Sequence, residues 1–306
     1  MAAVTLPAGV SVFERGWLSS NNILVQGAHS SVLIDSGYCT HAEQTLALLD
    51  SALQGRPLDV LINTHLHSDH CGGNALLQAR YPALQTHIPP GHAKYVRVWD
   101  AFALSYTPTG QSCPLFGFDA VLQPGTDMRL GDLVWQVHAA PGHDPHSVIL
   151  FEPQSRTLVS ADALWEQGFG VVFPELDGLH AFAEVGDTLD LIEHLAPAVV
   201  IPGHGSPFAD VAQALVVARR RLDGFVSHPA KHRHYAAKVL LKFKLLEAQA
   251  MERETLQAWA LGTGYFASLL SPSGDASQGP QAVDLLVQDL VRSGAAVVSG
   301  TRIFNA

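Results

Sequence analysis

Between His65 and His70 the chain places three histidines and one aspartate in six residues: Thr64-His65-Leu66-His67-Ser68-Asp69-His70. Imidazole nitrogen and carboxylate oxygen suit zinc and its first-row neighbours, and a solvated loop has no use for so many of them. His65 and His67 are spaced to grip one ion. Asp69 and His70, slightly further on, reach a second. Two ions need more ligands than this stretch holds, and three further residues are candidates: His143 in Ala140-Pro141-Gly142-His143-Asp144, Asp162 in Ser160-Ala161-Asp162, and His204 in Pro202-Gly203-His204-Gly205.

The elements around these residues explain how they could converge. Leu58–Asn63 is apolar and partly β-branched, and predicts a short buried strand running into the metal-ligating loop. Cys71-Gly72-Gly73 then makes a turn into a helix over about Asn74–Tyr81. Strand-like runs also precede the other three candidates: Val134–Ala139 before His143, Thr157–Ser160 before Asp162, and Ala198–Ile201 before His204. Each polar residue falls where its strand ends, as expected if strand ends meet at one edge of a sandwich.

His-x-His-x-Asp-His, a Gly-His, a strand-end Asp and a Pro-Gly-His-Gly, in that order, resemble the metallo-β-lactamase-fold hydrolase superfamily over roughly residues 10 to 208. Ser31-Val32-Leu33-Ile34-Asp35-Ser36-Gly37 is similar to that family's early strand ending in an aspartate that buttresses the metal loop. The resemblance implies an α+β fold, a four-layer αββα sandwich with a dinuclear site at one edge. Carried over, it implies that His65, His67 and His143 hold the first metal, Asp69, His70 and His204 the second, and that Asp162 bridges them.

The whole chain sets bounds on this reading. Its 306 residues suffice for one large and one small domain. A net charge of −10 argues against a dedicated nucleic-acid binder. Charge is uneven: residues 1–227 carry 10 Lys and Arg against 22 Asp and Glu, and residues 228–306 carry 8 against 6. That shift predicts a catalytic domain over 1–227 and a second domain over 228–306. Three cysteines, Cys39, Cys71 and Cys113, give no disulfide framework and suit a reducing compartment. With no signal-peptide pattern and no run of about 18 apolar residues, the expectation is a cytoplasmic protein with no membrane partner.

Further elements follow from pattern. Strands are predicted at Val10–Phe13, Asn22–Gln26, Ser31–Asp35, Leu84–Ile88 and Ser147–Glu152, and helices at Thr40–Leu53, Phe182–Leu195 and Asp210–Phe225. In the last, Arg219-Arg220-Arg221 reads as a solvated face. Residues 91–124, irregular and rich in aromatics, read as a substrate-facing lid or as ordinary packing. Trp165, Phe169 and Phe173 follow Asp162 and are candidates for a pocket wall. His41, His87, His92, His138, His180 and His194 read as surface or satisfied core residues. Asp144 and His146 read as loop residues rather than partners of the site. The tail predicts helices at Lys231–Ala250, Thr255–Ala260 and Ala282–Ser293 and a hairpin through Gly300, similar to a winged-helix fold. The apolar face Tyr235, Val239, Leu240, Phe243 and Leu246 is expected to be covered by the catalytic domain.

The expected chemistry is hydrolysis by a hydroxide shared between two divalent ions, zinc by default and iron or manganese as alternatives, since coordination lowers the pKa of bound water to about 7. Asp69 would orient the nucleophile and help protonate the leaving group. The substrate expected is a small-molecule thioester, lactone or ester, as in the glyoxalase II-like branch that the motifs resemble. Two alternatives stand beside it: a phosphodiesterase or ribonuclease, and a non-catalytic regulator that keeps the fold. A homodimer is compatible with the tail.

Overall fold

The computed structural model describes residues 4–270 and 279–306. Its contacts divide it into two units, Met1–Asp100 with Ser112–Val226, and Ala101–Gln111 with Ser227–Ala306.

The first unit holds two sheets. One contains β1 (Val10–Phe13), β2 (Asn22–Gln26), β3 (Ser31–Ile34), β4 (Val60–Ile62), β5 (Gln85–Ile88) and β6 (Ala120–Val121), adjacent in that order. Strands β1 to β3 are antiparallel, and β3 to β6 are parallel. Parallel neighbours need crossovers, which α1 (Ala42–Leu53) and the pair α2 (Ser68–Cys71) and α3 (Asn74–Arg80) supply. The second sheet contains β7 (Asp127–Leu130), β8 (Leu133–Ala139), β9 (Val148–Glu152), β10 (Thr157–Ala161) and β11 (Val199–Pro202), in the order β11-β10-β9-β8-β7. Its one parallel pair, β10 with β11, is joined through α7 (Phe182–Leu195).

Alternation along the strands builds the layers. Ile23, Val25, Val32, Ile34 and Ile62 point between the sheets, where they meet Trp135, Val137, Val148, Leu150, Val159 and Ile201. Leu24, Leu33 and Leu61 point outward and pack with Leu49, Leu53 and Leu77 of α1 and α3. A strand buried on both faces therefore reads as a continuous apolar run. On the other side, α7 buries Val185, Leu189 and Ile192, and Thr188 Oγ1 donates to Pro141 O at 2.8 Å. Arg219 of α8 (Val211–Ser227) pairs with Asp190 at 2.7 Å and Glu193 at 2.6 Å. These pairs are solvent-screened and add little stability.

Several expectations need correction. The polar stretch after β4 is only partly loop, because Ser68–Cys71 forms one helical turn. The unbroken arginine face does not hold either: Arg221 turns inward and donates from Nη1 to Phe169 O at 3.0 Å. Strand β7 and the short helices α4 (Ala93–Val98) and α6 (Phe173–Leu176) are additions to the predicted elements. Each is six residues or fewer, too short for a periodic signal.

The second unit holds α5 (Tyr106–Thr109), α9 (Pro229–Ala248), β12 (Ala250–Glu252), α10 (Arg253–Gly262), α11 (Gly264–Leu270), α12 (Gly279–Arg292), β13 (Ala296–Ser299) and β14 (Arg302–Asn305). The predicted hairpin is present, and β12 adds a third strand to it in the order β12-β14-β13. Helix α9 packs on α11, α12, β12 and β14, burying Ala236, Ala237, Leu240, Leu241, Phe243 and Leu245. Lys242 Nζ closes the unit by donating to Ala295 O and Asn305 Oδ1, both at 2.6 Å.

Candidate metal centre

Strand ends deliver every candidate ligand. β4 runs out at Ile62 into Thr64–His67, and the one-turn α2 lifts Asp69 and His70 beside it. His143 lies in the connection between β8 and β9, Asp162 follows β10, and His204 follows β11. Backbone hydrogen bonds tie these ends together: Val148 N to Thr64 O at 2.9 Å, Gly203 N to Ala161 O at 2.7 Å, Ser20 N to Asp69 O at 2.9 Å and Asn21 N to Gly203 O at 2.7 Å. Asn21 Nδ2 adds bonds to Pro202 O and Gly205 O. Gly203 cannot be replaced without disturbance, since a Cβ there would collide with Asp162 Oδ1 and come within 3.0 Å of His70 Cε1.

The seven residues converge in three groups: His65, His67 and His143; His65, His70 and Asp162; Asp69, His70 and His204. Within each group one donor atom per residue lies within 4.8 Å of the others. Five of the seven, His65, His70, His143, Asp162 and His204, are buried. The side chains of His67 and Asp69 are each 15% exposed, which places them at the open side.

Hydrogen bonds on the far side of each ring fix which nitrogen faces inward. His143 Nδ1 donates to Val171 O at 2.5 Å, and His204 Nδ1 donates to Gly16 O at 3.2 Å. Asp35, buried at the end of β3 with φ of 57°, accepts from His70 Nδ1 at 2.8 Å, Thr64 N at 2.9 Å and Thr64 Oγ1 at 2.7 Å. Because Thr64 Oγ1 gives its proton to Asp35, it can accept one from His65 Nδ1 at 3.2 Å. In these four rings Nε2 then faces the centre, where His143 Nε2 meets His67 Nδ1 at 2.8 Å. This is the arrangement in which outer partners orient metal-binding histidines.

The inner atoms fit a cation. His65 Nε2 and His70 Nε2 are buried without a hydrogen bond, which is costly unless something binds them. His204 Nε2 faces Asp69 Oδ2 at 3.1 Å, a pair that a proton or a cation between them would satisfy. Electrostatics agree. Burial works against charging His70, yet the carboxylates of Asp35, Asp162 and Asp69 outweigh it and raise its pKa well above the usual value. His204 is also raised, by Asp162 and Asp69 against burial. Burial also opposes the Asp162 charge, but His70 and His204 hold its pKa well below the carboxylate norm. His65 is lowered by burial and by neighbouring imidazoles, and His67 is lowered to about 4 by burial and His143. One end of the cluster demands positive charge, and the other offers neutral imidazoles.

Aromatic side chains flank the centre. Trp165 Nε1 donates to Asp162 Oδ1 at 3.2 Å, and Phe173 packs edge-on to His67 and His143 at 5.0 and 5.7 Å. Phe169 is 1% exposed, meets Phe225 and lines a small cavity with His143 and Asp162. Trp17 is a residue that sequence reasoning misses. It stacks on His204 with ring centroids 5.3 Å apart and stands 57% exposed at the rim. Only its position before the strand Asn22–Gln26 hints at it. Asp144 is also more than a loop residue: buried, it accepts from His146 N at 2.7 Å and lies 3.9 Å from His67 Nε2.

The comparisons with known proteins agree with this geometry. The family model of the metallo-beta-lactamase superfamily matches residues 15–204, and the chain belongs to that superfamily. A hydroxyacylglutathione hydrolase of Rhodopseudomonas palustris is 32% identical over 132 residues, 43% of each chain. The probable metallo-hydrolase YybB of Bacillus subtilis is 24% identical over 56% of this chain and 74% of its own length. The chain spans under half the length of the first hydroxyacylglutathione hydrolases it matches, 43% and 49%. Among solved structures, the metallo-beta-lactamase family protein TTHA1429 from Thermus thermophilus aligns over 99% of this chain and 100% of its own, with TM-score 0.57 and 20% identity. TTHA1623 in a di-iron-bound form aligns over 68% of this chain and 98% of its own, with TM-score 0.52 and 27% identity.

Proposed function

We propose that the chain is a dinuclear metal-dependent hydrolase of small-molecule thioesters, lactones or esters. The observation that carries the reading is the convergence of five histidines and two aspartates, with His65 Nε2 and His70 Nε2 buried among them without a hydrogen bond. His65, His67 and His143 would hold one ion, Asp69, His70 and His204 the other, with Asp162 between them. Zinc is the default for such nitrogen and oxygen donors, with iron or manganese compatible. The di-iron form of TTHA1623 supports a two-ion reading of the same fold. Bound there, two divalent ions would supply hydroxide near neutral pH and polarise the oxygen of the scissile group.

The chain's own residues would do the rest. Asp69 stands at the open side with Oδ2 3.1 Å from His204 Nε2, so its carboxylate can orient the attacking oxygen and pass a proton to the leaving group. Phe173 and Trp165 restrict water around the ligands, and Trp17 offers an apolar surface at the rim. The hydroxyacylglutathione hydrolases among the relatives support a thioester as the first substrate to try. In the second unit, helix, strand, two helices, helix and hairpin support a winged-helix-like reading. Its 8 basic residues are accompanied by 6 acidic ones over 228–306, which favours a role other than neutralising phosphates.

A substrate panel tests this. Metal-loaded protein should hydrolyse at least one thioester, lactone or ester faster than a bis-phosphodiester, and Asp69→Asn should abolish most of that rate. Turnover confined to the phosphodiester, or none with any substrate at full metal loading, would contradict the reading.

A further inference from the structure

We propose that Cys71 and Cys113 form a reversible intramolecular disulfide that fastens the metal-binding turn to the segment 112–118. The two sulfurs lie 3.8 Å apart, in van der Waals contact, and a disulfide needs about 2 Å. Cys71 ends α2 directly after His70. Cys113 lies in a stretch without regular structure and is partly exposed, while Cys71 is fully buried.

Anchors on both sides hold Cys113 over its partner. On one side Ser112 N donates to Tyr38 Oη at 3.1 Å, and Cys39 Sγ reaches Ser112 O at 3.3 Å. On the other, Gly117 N donates to Gln78 Oε1 at 3.0 Å and Gly117 O accepts from Gln78 Nε2 at 2.7 Å. The residues between these anchors form no helix or strand, so the sulfur can close the remaining gap without moving a sheet. Cys39 Sγ and Cys71 Sγ each reach a backbone oxygen at 3.3 Å, Ser112 O and His67 O, and it is Cys71 whose sulfur also touches that of Cys113.

Exposure sets the order of events. A peroxide meets Cys113 first: its thiolate takes one oxygen, giving the sulfenic acid and releasing the rest of the peroxide as water. Cys71 then attacks that sulfur, the S–S bond forms, the S–O bond breaks, and a second water leaves. Two thiols and one hydrogen peroxide thus become one disulfide and two waters. A thiol or phosphine reductant reverses the step.

The test uses the full, metal-loaded chain with stoichiometric hydrogen peroxide, followed by alkylation under denaturing conditions and non-reducing peptide mapping. The expected product is a monomer lighter by two hydrogens, with the Cys71 and Cys113 peptides linked, Cys39 alkylated, and full return of three alkylatable thiols after phosphine treatment. Cys113→Ser should leave Cys71 alkylatable after the same exposure. Cys71→Ser should leave a sulfenic acid on Cys113 that dimedone traps. If Cys71→Ser does not fold, the parent mapping and Cys113→Ser decide alone. Linkage through Cys39, disulfide-bonded dimers, or Cys113 driven to sulfinic acid while Cys71 stays reduced would overturn the proposal.

Discussion

His70 and Asp35 form a buried pair, Nδ1 to Oδ2 at 2.8 Å, that joins the end of β3 to the metal-binding turn. Asp35 uses its remaining capacity on Thr64 N and Thr64 Oγ1, and Thr64 in turn orients His65. One carboxylate thereby sets two histidines, one in each proposed ion site. Asp35 touches no substrate in this account and acts only through the residues it holds.

Asp35→Ala should therefore weaken metal binding more than it weakens the fold. Outer partners of metal-binding histidines are worth about 10- to 100-fold in affinity. Chelator competition on the purified variant measures it. Unchanged affinity would mean that the histidines keep their orientation without Asp35.

Asp69→Asn keeps the shape of the side chain and removes its charge and basicity. Turnover should fall by about 100-fold or more, while the thermal midpoint stays close to the parent. Near-parent turnover would show that Asp69 does not handle protons.

Gly203→Ala places a methyl group against Asp162 Oδ1 and His70 Cε1. Asp162 would have to leave its position between the histidines. The expected result is a folded protein, by circular dichroism, that retains less metal after desalting than the parent. Full retention would contradict the tight approach of β11 to the centre.

Acid should destabilise the second unit through His232. Burial and the neighbouring Arg233 lower its pKa from 6.5 to about 4 in the folded chain. Between those values the unfolded chain binds a proton that the folded chain refuses, so stability falls as pH drops from 6.5 toward 4. The slope contributed is at most about 1.4 kcal/mol per pH unit. Urea midpoints of the parent and His232→Gln across that range check it; equal slopes would remove His232 as the cause.

The convergence of the candidate ligands is legible in the sequence because they follow strands in a fixed order. His65 to His70 need only one turn of local structure to converge, and Asp35 closes a continuous apolar run. What escapes has a physical reason. The groups that orient His143 and His204 are the carbonyls of Val171 and Gly16, and every residue has a carbonyl. Trp17 meets His204 from the far end of the unit's sequence, a contact no local pattern encodes. Phe169 and Phe173 look alike in sequence, yet Phe169 is 1% exposed, while Phe173, where α6 begins, packs edge-on to His67 and His143. Strand β12 has three residues and takes its identity only from pairing with β14.

The central claim is that this cluster holds two ions, and metal stoichiometry tests it most directly. Protein saturated with zinc, desalted and analysed for metal and protein together should hold two ions per chain, with His204→Ala and Asp69→Ala each reducing the content to about one, since three or four donors serve each ion. A parent value of one, unchanged in both variants, would contradict the account.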